Sequence, residues 1–416
     1  MSPGAKNVIL KLKKGNLFFN TFIGLKKHPC INPVLMNRWI TFCFFSFTIF
    51  LCFSHAEAQN KADSLTEELK SKMYNTFRHF SFGFYIDAYI TMELDQKKDT
   101  SNIIPYFANC PMTDQIRLNV AAIEVNYNAE KVRGKLQIQY GDAPNLLASP
   151  EKQWIKTIRQ AAVGFRIAKD LWTDIGFMFT PVGWESAWPV TNFISTASIC
   201  GYFEPGAVLG IKFSYNFSDK FNGGLMFGNP YSLAYQQTNH IAGILFLNYL
   251  PLKNLTISYN SLFGNQALRN AEFKNNLLYN DILITYAPHR NVNLIGQVDF
   301  AFQTNSQMPP DTNKIASMCS GFIQGRFSFL NYFSLSGRYE FFVDPDGFLS
   351  GPYTYGGHTT GLSMNGIAVS LEYKPVNIGY MRLEYKYMHA NQGNEVYYSG
   401  TSDMMQAIIF TTGVRF

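Results

Sequence analysis

Nothing in the 416 residues is long and apolar enough to cross a bilayer as a helix. Such a span takes about 20 consecutive apolar residues, and the longest run here, Ile40–Phe53, has 14. A mean hydropathy of −0.08 likewise excludes a helical membrane protein. Cysteine is scarce, six in all, and three of those precede residue 59. Cys110, Cys200 and Cys319 remain, odd in number and without a C-x-x-C, so their spacing indicates neither a zinc site nor a disulfide framework. Catalytic signatures are missing as well. There is no H-E-x-x-H, no G-x-S-x-G and no phosphate-binding glycine loop. His79, His240, His289, His358 and His389 are scattered over turns and strand ends. No metal, cofactor or catalytic group is therefore expected, although a Ser/His pair assembled across strands would leave no motif.

Net charge is the next absence. Arg38 precedes the apolar run and Ala56-Glu57-Ala58 follows it, the pattern of a secretory signal peptide cut after Ala58. Cys52 follows Leu51 rather than a small residue, which argues against lipidation. Met36 would start a leader of ordinary length, and the residues before it read as an over-long start. Removing 1–58 removes seven basic residues and one acid, which is the whole formal charge of +6. A near-neutral mature chain has no electrostatic case for a nucleic-acid partner. Residues 59–79 show only a weak helical pattern (Leu65, Leu69, Met73) and read as a periplasmic lead-in. They are too few to form the plug of an energy-coupled receptor, whose barrel has about 22 strands.

Aromatics, by contrast, are abundant at 16%, with Phe 37, Tyr 24 and Gly 31. The last residues set the pattern. Phe416, Val414, Thr412, Phe410, Ile408, Gln406 and Met404 share one parity, against Arg415, Gly413, Thr411, Ile409, Ala407 and Met405. This is the period of a strand with two unlike faces. A strand ending on an aromatic terminus has nothing after it to cover its edge, and closing the sheet into a barrel removes that liability. The terminal Phe416 is similar to the closing strand that outer-membrane assembly machinery reads.

The alternation recurs in sixteen segments: 80–94, 114–127, 132–141, 157–168, 171–180, 206–215, 221–228, 240–249, 255–264, 277–287, 291–303, 316–329, 333–343, 361–373, 378–388 and 404–416. The second needs a phase slip near Ala121-Ala122, read as a bulge. Connections alternate strictly between short turns, such as Lys169-Asp170, and long ones, up to Pro181–Pro205. Short periplasmic turns and long outer loops, with both chain ends on the short-turn side, are what an outer-membrane barrel requires. The expected fold is all-β: a transmembrane antiparallel up-and-down barrel of about 16 strands over 80–416, in the cell outer membrane. The polar parity then lines the lumen, with Asp87, Arg117, Glu124, Arg133, Lys135, Arg166, Asp174, Lys212, Asp299, Arg326, Arg338, Glu340, Glu372, Arg382, Glu384 and Lys386. One Arg turned to lipid at mid-membrane costs about 2–4 kcal/mol, so this parity fixes the register. A barrel of that size is wide enough for a watery channel.

Gly183-Trp184-Glu185 after the fifth segment and Glu204-Pro205…Gly210 leading into the sixth are two distinctive stretches. Arg338-Tyr339-Glu340-Phe341-Phe342 before Asp344-Pro345-Asp346-Gly347 is a third, and Tyr373-Lys374-Pro375 running into Arg382-Leu383-Glu384-Tyr385 a fourth. Together they resemble the OmpL-like β-barrel porin family of Gram-negative bacteria, over nearly the whole mature chain. The resemblance implies passive or weakly selective diffusion of small hydrophilic solutes or ions, with no agreed substrate.

The pore-lining candidates are Glu185, Lys212, Arg326, Arg338, Glu340, Arg382 and Glu384. Arg338/Glu340 and Arg382/Glu384 place a cation and an anion two residues apart on one wall. That suits either a transverse field at a constriction or a wall of satisfied ion pairs. Pro181–Pro205 carries Trp184, Glu185 and Trp188, and is either a constriction loop folded into the lumen or an outer loop packed on its neighbours. Asp344-x-Asp346-Gly347 begins like a calcium loop, but Tyr355 occupies the twelfth position, where a glutamate is needed, so it reads as a turn. The expected function is a porin surrounded by outer-membrane lipid, with a homotrimer as one open assembly. A binding, adhesive or structural barrel acting through its long loops is the alternative, with a barrel hydrolase behind it.

Overall fold

The computed structural model describes residues 69–73, 77–95, 102–147, 152–229, 240–267, 273–309, 312–355, 358–391, 394–398 and 400–416. The expected leader, 1–58, and most of the lead-in lie outside these residues; within the lead-in, 69–73 are helical. Asn75–Phe416 form one unit, to which all that follows refers.

Sixteen strands pair antiparallel into a closed barrel. They are β1 (Phe80–Glu93), β2 (Arg117–Asn128), β3 (Val132–Tyr140), β4 (Ile158–Ala168), β5 (Leu171–Phe179), β6 (Ala207–Ser218), β7 (Phe221–Gly228), β8 (Ala242–Leu252), β9 (Leu255–Asn265), β10 (Asn276–His289), β11 (Val292–Gln303), β12 (Ala316–Phe329), β13 (Phe333–Val343), β16 (Ser363–Val376), β17 (Gly379–Ala390) and β18 (Met404–Arg415). Each overlaps one alternating segment of the sequence. Two further strands, β14 (Tyr353–Tyr355) and β15 (His358–Thr360), form a separate hairpin in the β13–β16 loop. They are too short to show a period. Turns of two or three residues close one end of the barrel, and loops of ten to twenty-seven stand at the other.

Every second side chain faces outward, and those are apolar. In β1, Phe82, Phe84 and Ile86 are exposed while Tyr85, Asp87, Tyr89 and Thr91 are buried. In β17, Met381 and Leu383 are exposed while Tyr380, Arg382, Glu384 and Lys386 are buried. An all-round apolar belt on a closed sheet has lipid as its solvent, because closure satisfies every backbone group within the wall.

The seam joins β1 to β18 from Tyr85↔Arg415 to Glu93↔Ala407. Phe416 extends it. Its N–H donates to the Phe84 carbonyl at 3.0 Å and its own carbonyl accepts from the Phe84 N–H at 2.7 Å. The two rings stack at 5.6 Å, with Phe416 60% exposed.

The slip in β2 lies two residues before its expected place. Asp87 pairs with Val120 and Ala88 with Leu118, so Asn119 is the extra residue. The bulge turns Asn119 inward, where its Nδ2 donates to Asp87 Oδ1 at 2.7 Å and its Oδ1 accepts from the Cys110 N–H.

The lumen departs from the expected watery bore. Toward the long-loop end its inward positions become apolar. There Met226, Leu262, Met318, Phe342, Met364, Met388 and Met405 pack with Ile104, Phe107, Leu362 and Tyr397 from the loops. These positions face folded-in protein rather than water, so parity alone did not dictate polar residues there.

Phe416→Ala removes one exposed ring contact, worth about 0.5–1.5 kcal/mol, and no backbone bond. It is expected to leave refolding in detergent nearly intact while lowering the amount of barrel in the outer membrane. Comparing heat-modifiable gel migration of refolded and cell-derived protein checks both halves.

Candidate functional site: the inward loop and the space beside it

The β5–β6 connection folds into the barrel and is held there by the charged ladder on the far wall. Arg338 of β13 donates from Nη1 to Glu185 Oε1 at 2.8 Å and to the Thr196 carbonyl at 3.0 Å, and from Nη2 to Glu340 Oε1 at 3.3 Å. Glu340 accepts the Ile199 N–H at 2.6 Å and faces Lys386 Nζ at 3.3 Å. Lys386 in turn donates to the Ala197 carbonyl at 2.9 Å. Glu384 accepts the N–H groups of Ser195 and Thr196, at 2.9 and 3.2 Å, and the Thr196 hydroxyl. Arg382 splits its donors between Glu372 Oε2 and the carbonyls of Pro189 and Asn192, each at 2.7 Å. Arg326 reaches the other oxygen of Glu372.

The loop's own sequence suits this grip. Pro189 opens a single 3-10 turn, Pro189–Thr191, leaving carbonyls that point outward to Arg382. Ser198 caps the short helix Ile199–Phe203 by accepting the Gly201 N–H, and donates its hydroxyl to Glu185. Gly183, at φ +79°, starts the inward path, and a Cβ there would overlap the Glu204 carboxylate. Burial pushes the Glu204 carboxyl well above the usual carboxylate range, reinforced by Asp299, Asp281 and Glu185 nearby.

The loop leans on one wall and leaves a space along the other. A cavity of about 800 Å³ separates it from β2–β5. Its lining runs from Ala143 and Ile155, in the β3–β4 connection at the long-loop end, to Glu124 and Lys135 in the opposite half. At the start of β4, next to the long-loop end, stands Arg159, 6% exposed. Its guanidinium lies between the rings of Phe179 and Trp188, 4.5 and 4.4 Å from their centroids. Nη2 donates to Ser186 Oγ at 3.2 Å, whereas Nε and Nη1 are buried without a partner among the described residues. The Trp188 Nε1 and Asn109 Nδ2 donors on the same cavity are also unpartnered. Glu124, by comparison, is shared between Gln137, Lys135 at 3.8 Å and Arg415 at 3.6 Å.

The family model described as "Putative beta-barrel porin-2, OmpL-like" matches residues 79–416. The chain belongs to this family. No curated protein matches it in sequence. Among solved structures, the outer membrane channel DcaP of Acinetobacter baumannii superposes with a TM-score of 0.53 at 13% identity, covering 81% of this chain and 97% of that one. An OmpF of Salmonella typhi, solved with daunomycin, gives 0.54 at 12% over 81% and 97%. An anion-selective porin from Comamonas acidovorans gives 0.52 at 8% over 81% and 99%. At such identities the likeness is one of fold. The fold and family place this porin barrel in the outer membrane.

Of the candidates read from sequence, the structure brings together Glu185, Arg338, Glu340 and Glu384, with Arg382 and Arg326 meeting on Glu372 beside them. Arg338, Glu340, Arg382 and Glu384 are at most 3% exposed, so they hold the loop rather than face open solvent. Lys212 stands apart on β6, 3.9 Å from Asp174. Asp344 binds its own turn, accepting N–H groups from Phe348, Leu349 and Ser350, as a turn reading requires.

Arg159 escaped the sequence reading because its parity, shared with Val163, Phe165 and Ile167, is the lipid-facing one. The pairing steps from Gln137↔Gln160 to Ile138↔Ile158, so Arg159 is a bulge residue turned inward. A signal was present: an arginine on the apolar parity would cost about 2–4 kcal/mol in lipid, so its presence implies a slip.

Arg382→Gln leaves Glu372 and two loop carbonyls short of a charged donor. Breaking a buried pair from one side costs about 3–5 kcal/mol, enough to free the loop without opening the barrel. Limited proteolysis is expected to cut within 180–206 in the variant and to spare the wild type, with heat-modifiable migration unchanged in both.

Proposed function

We propose that this protein is a non-enzymatic diffusion channel whose passage is the narrow space between the inward loop and β2–β5, and that it favours small anionic solutes. The observation that carries the reading is Arg159: a buried guanidinium, unmatched by any carboxylate among the described residues, on the wall of a lengthwise cavity. In so narrow and partly desolvated a space a fixed charge acts more strongly than in bulk water, and salt screens it over about 10 Å at 0.1 M. The apolar cluster toward the long-loop end and the docked loop take up lumen space beside it. Glu185, Arg326, Arg338, Glu340, Arg382 and Glu384 then set pore size by fixing the loop, while Lys212, beside Asp174, is not part of the passage's lining. Secretion through a leader cut after Ala58, assembly through Phe416 and a homotrimer in the membrane complete the proposal. N-terminal sequencing and native mass in detergent test the first and last.

Planar bilayers test the channel. The wild type is expected to show small, anion-preferring conductance at low salt. Arg159→Gln should bring the anion preference toward unity, and deleting Trp184–Trp188 should raise conductance. A barrel that never conducts would overturn the channel and leave a binding or structural role for its loops. Unchanged selectivity in Arg159→Gln would move the passage away from β4.

A further inference from the structure

Where the inward loop meets β10–β11, three carboxylates and a thiol come together, with Glu204 half-buried on the cavity side and the other three out of reach of solvent. Cys200 and Glu204 come from the inward loop, Asp299 from β11. One donor atom from each lies within 4.8 Å of the other two. Cys200 Sγ is 2.7 Å from Asp299 Oδ2 and 3.2 Å from Glu204 Oε1. Asp281 of β10 stands directly across from Asp299 in the strand register, which sets facing Cβ atoms about 5 Å apart. Its Oδ2 accepts from Asn260 Nδ2 at 2.6 Å and from the Gly183 N–H at 3.3 Å. Its Oδ1 is buried without a donor among the described residues.

A positive charge is what the two aspartates lack among the described residues. Asp281, Asp299 and Cys200 are each 0% exposed. The donors to Asp281 and Asp299 are neutral: Asn260, the Gly183 N–H, Gln297, Tyr279, Ser320 and Cys200. Two buried carboxylates side by side without a cation carry a large desolvation cost. A cation held between them removes it.

We propose that Cys200, Glu204, Asp281 and Asp299 form a binding site for a divalent metal ion of the zinc class. Zinc accepts a thiolate together with carboxylate oxygens in one shell, whereas calcium and magnesium take oxygen ligands. On binding, the Cys200 thiol releases its proton to solvent and the ion takes its place. Gln297 Nε2 donates to Glu204 Oε1 and Asp299 Oδ1, which orients both carboxylates. The ligands lie on two strands and a loop, so no spacing motif marks them. Bound there, the ion fastens the end of the loop to β10–β11, while the charged ladder holds its middle to β13–β17.

The test uses the full barrel in detergent, stripped with a chelator and titrated with zinc, and with cadmium as a thiolate-reporting substitute. One equivalent is expected to bind, with a cadmium–thiolate absorption band that Cys200→Ser abolishes and that Cys110→Ser and Cys319→Ser retain. Asp281→Asn should weaken zinc binding by about 10-fold or more, with heat-modifiable migration showing that each variant is folded. Equal zinc affinity in wild type and Cys200→Ser, or no binding by the wild type at micromolar zinc, would overturn the site. The carboxylates would then be neutralised by protons. Metal content is read without any conductance, so a barrel that conducts but binds no zinc overturns this site alone. One that binds zinc but never conducts overturns the channel alone.

Discussion

Hydrocarbon accepts no unpaired backbone group, and that constraint shapes everything else in this barrel. It forces the sheet to close, and closure is achieved by the β1–β18 seam with the terminal Phe416 still hydrogen-bonded to Phe84. Closure fixes strand parity, and parity sends the apolar side chains to lipid and the remainder inward. The interior so enclosed is wide, and its inward charges must be either wetted or matched.

This chain matches most of them. The guanidiniums of Arg338 and Arg382 and the ammonium of Lys386 divide their donors between carboxylates and loop carbonyls, the latter at Thr196, Pro189, Asn192 and Ala197. Backbone carbonyls carry no countercharge, so Glu340 and Glu372 stay beside the cations and are themselves tied to the loop or the ladder. A wall of this kind reads in sequence like an electrostatic filter, yet its geometry is that of a mount. A cation without a matching acid among the described residues lies elsewhere, where Arg159 meets rings.

The strands were legible because their rule is local: a period of two, interrupted by turns. Even β7, β12 and β13 fall within the limits read from alternation. The membrane and the closed topology followed from the turn rhythm and from Phe416. The site was only half legible. Glu185, Arg338, Glu340, Arg382 and Glu384 announced themselves by type and parity, but whether they met water or a loop depended on how Pro181–Pro205 folds, which no period encodes. Arg159, Asn119 and Asp281 were missed for a related reason. Bulges displace the first two from simple counting, and Asp281 matters only through its neighbour across the strand pair.

The inward loop also constrains the order of events by which the molecule is made. Its anchors lie far ahead in the chain: Glu185 and Arg338 are 153 residues apart, Ser195 and Glu384 are 189, and Asn192 and Arg382 are 190. Closing such long loops costs entropy before any contact rewards it, which makes them slow. The β5–β6 segment therefore has no seat until the last third of the polypeptide has been threaded into the wall. Insertion must proceed with that segment waiting, and its docking becomes a late step in maturation.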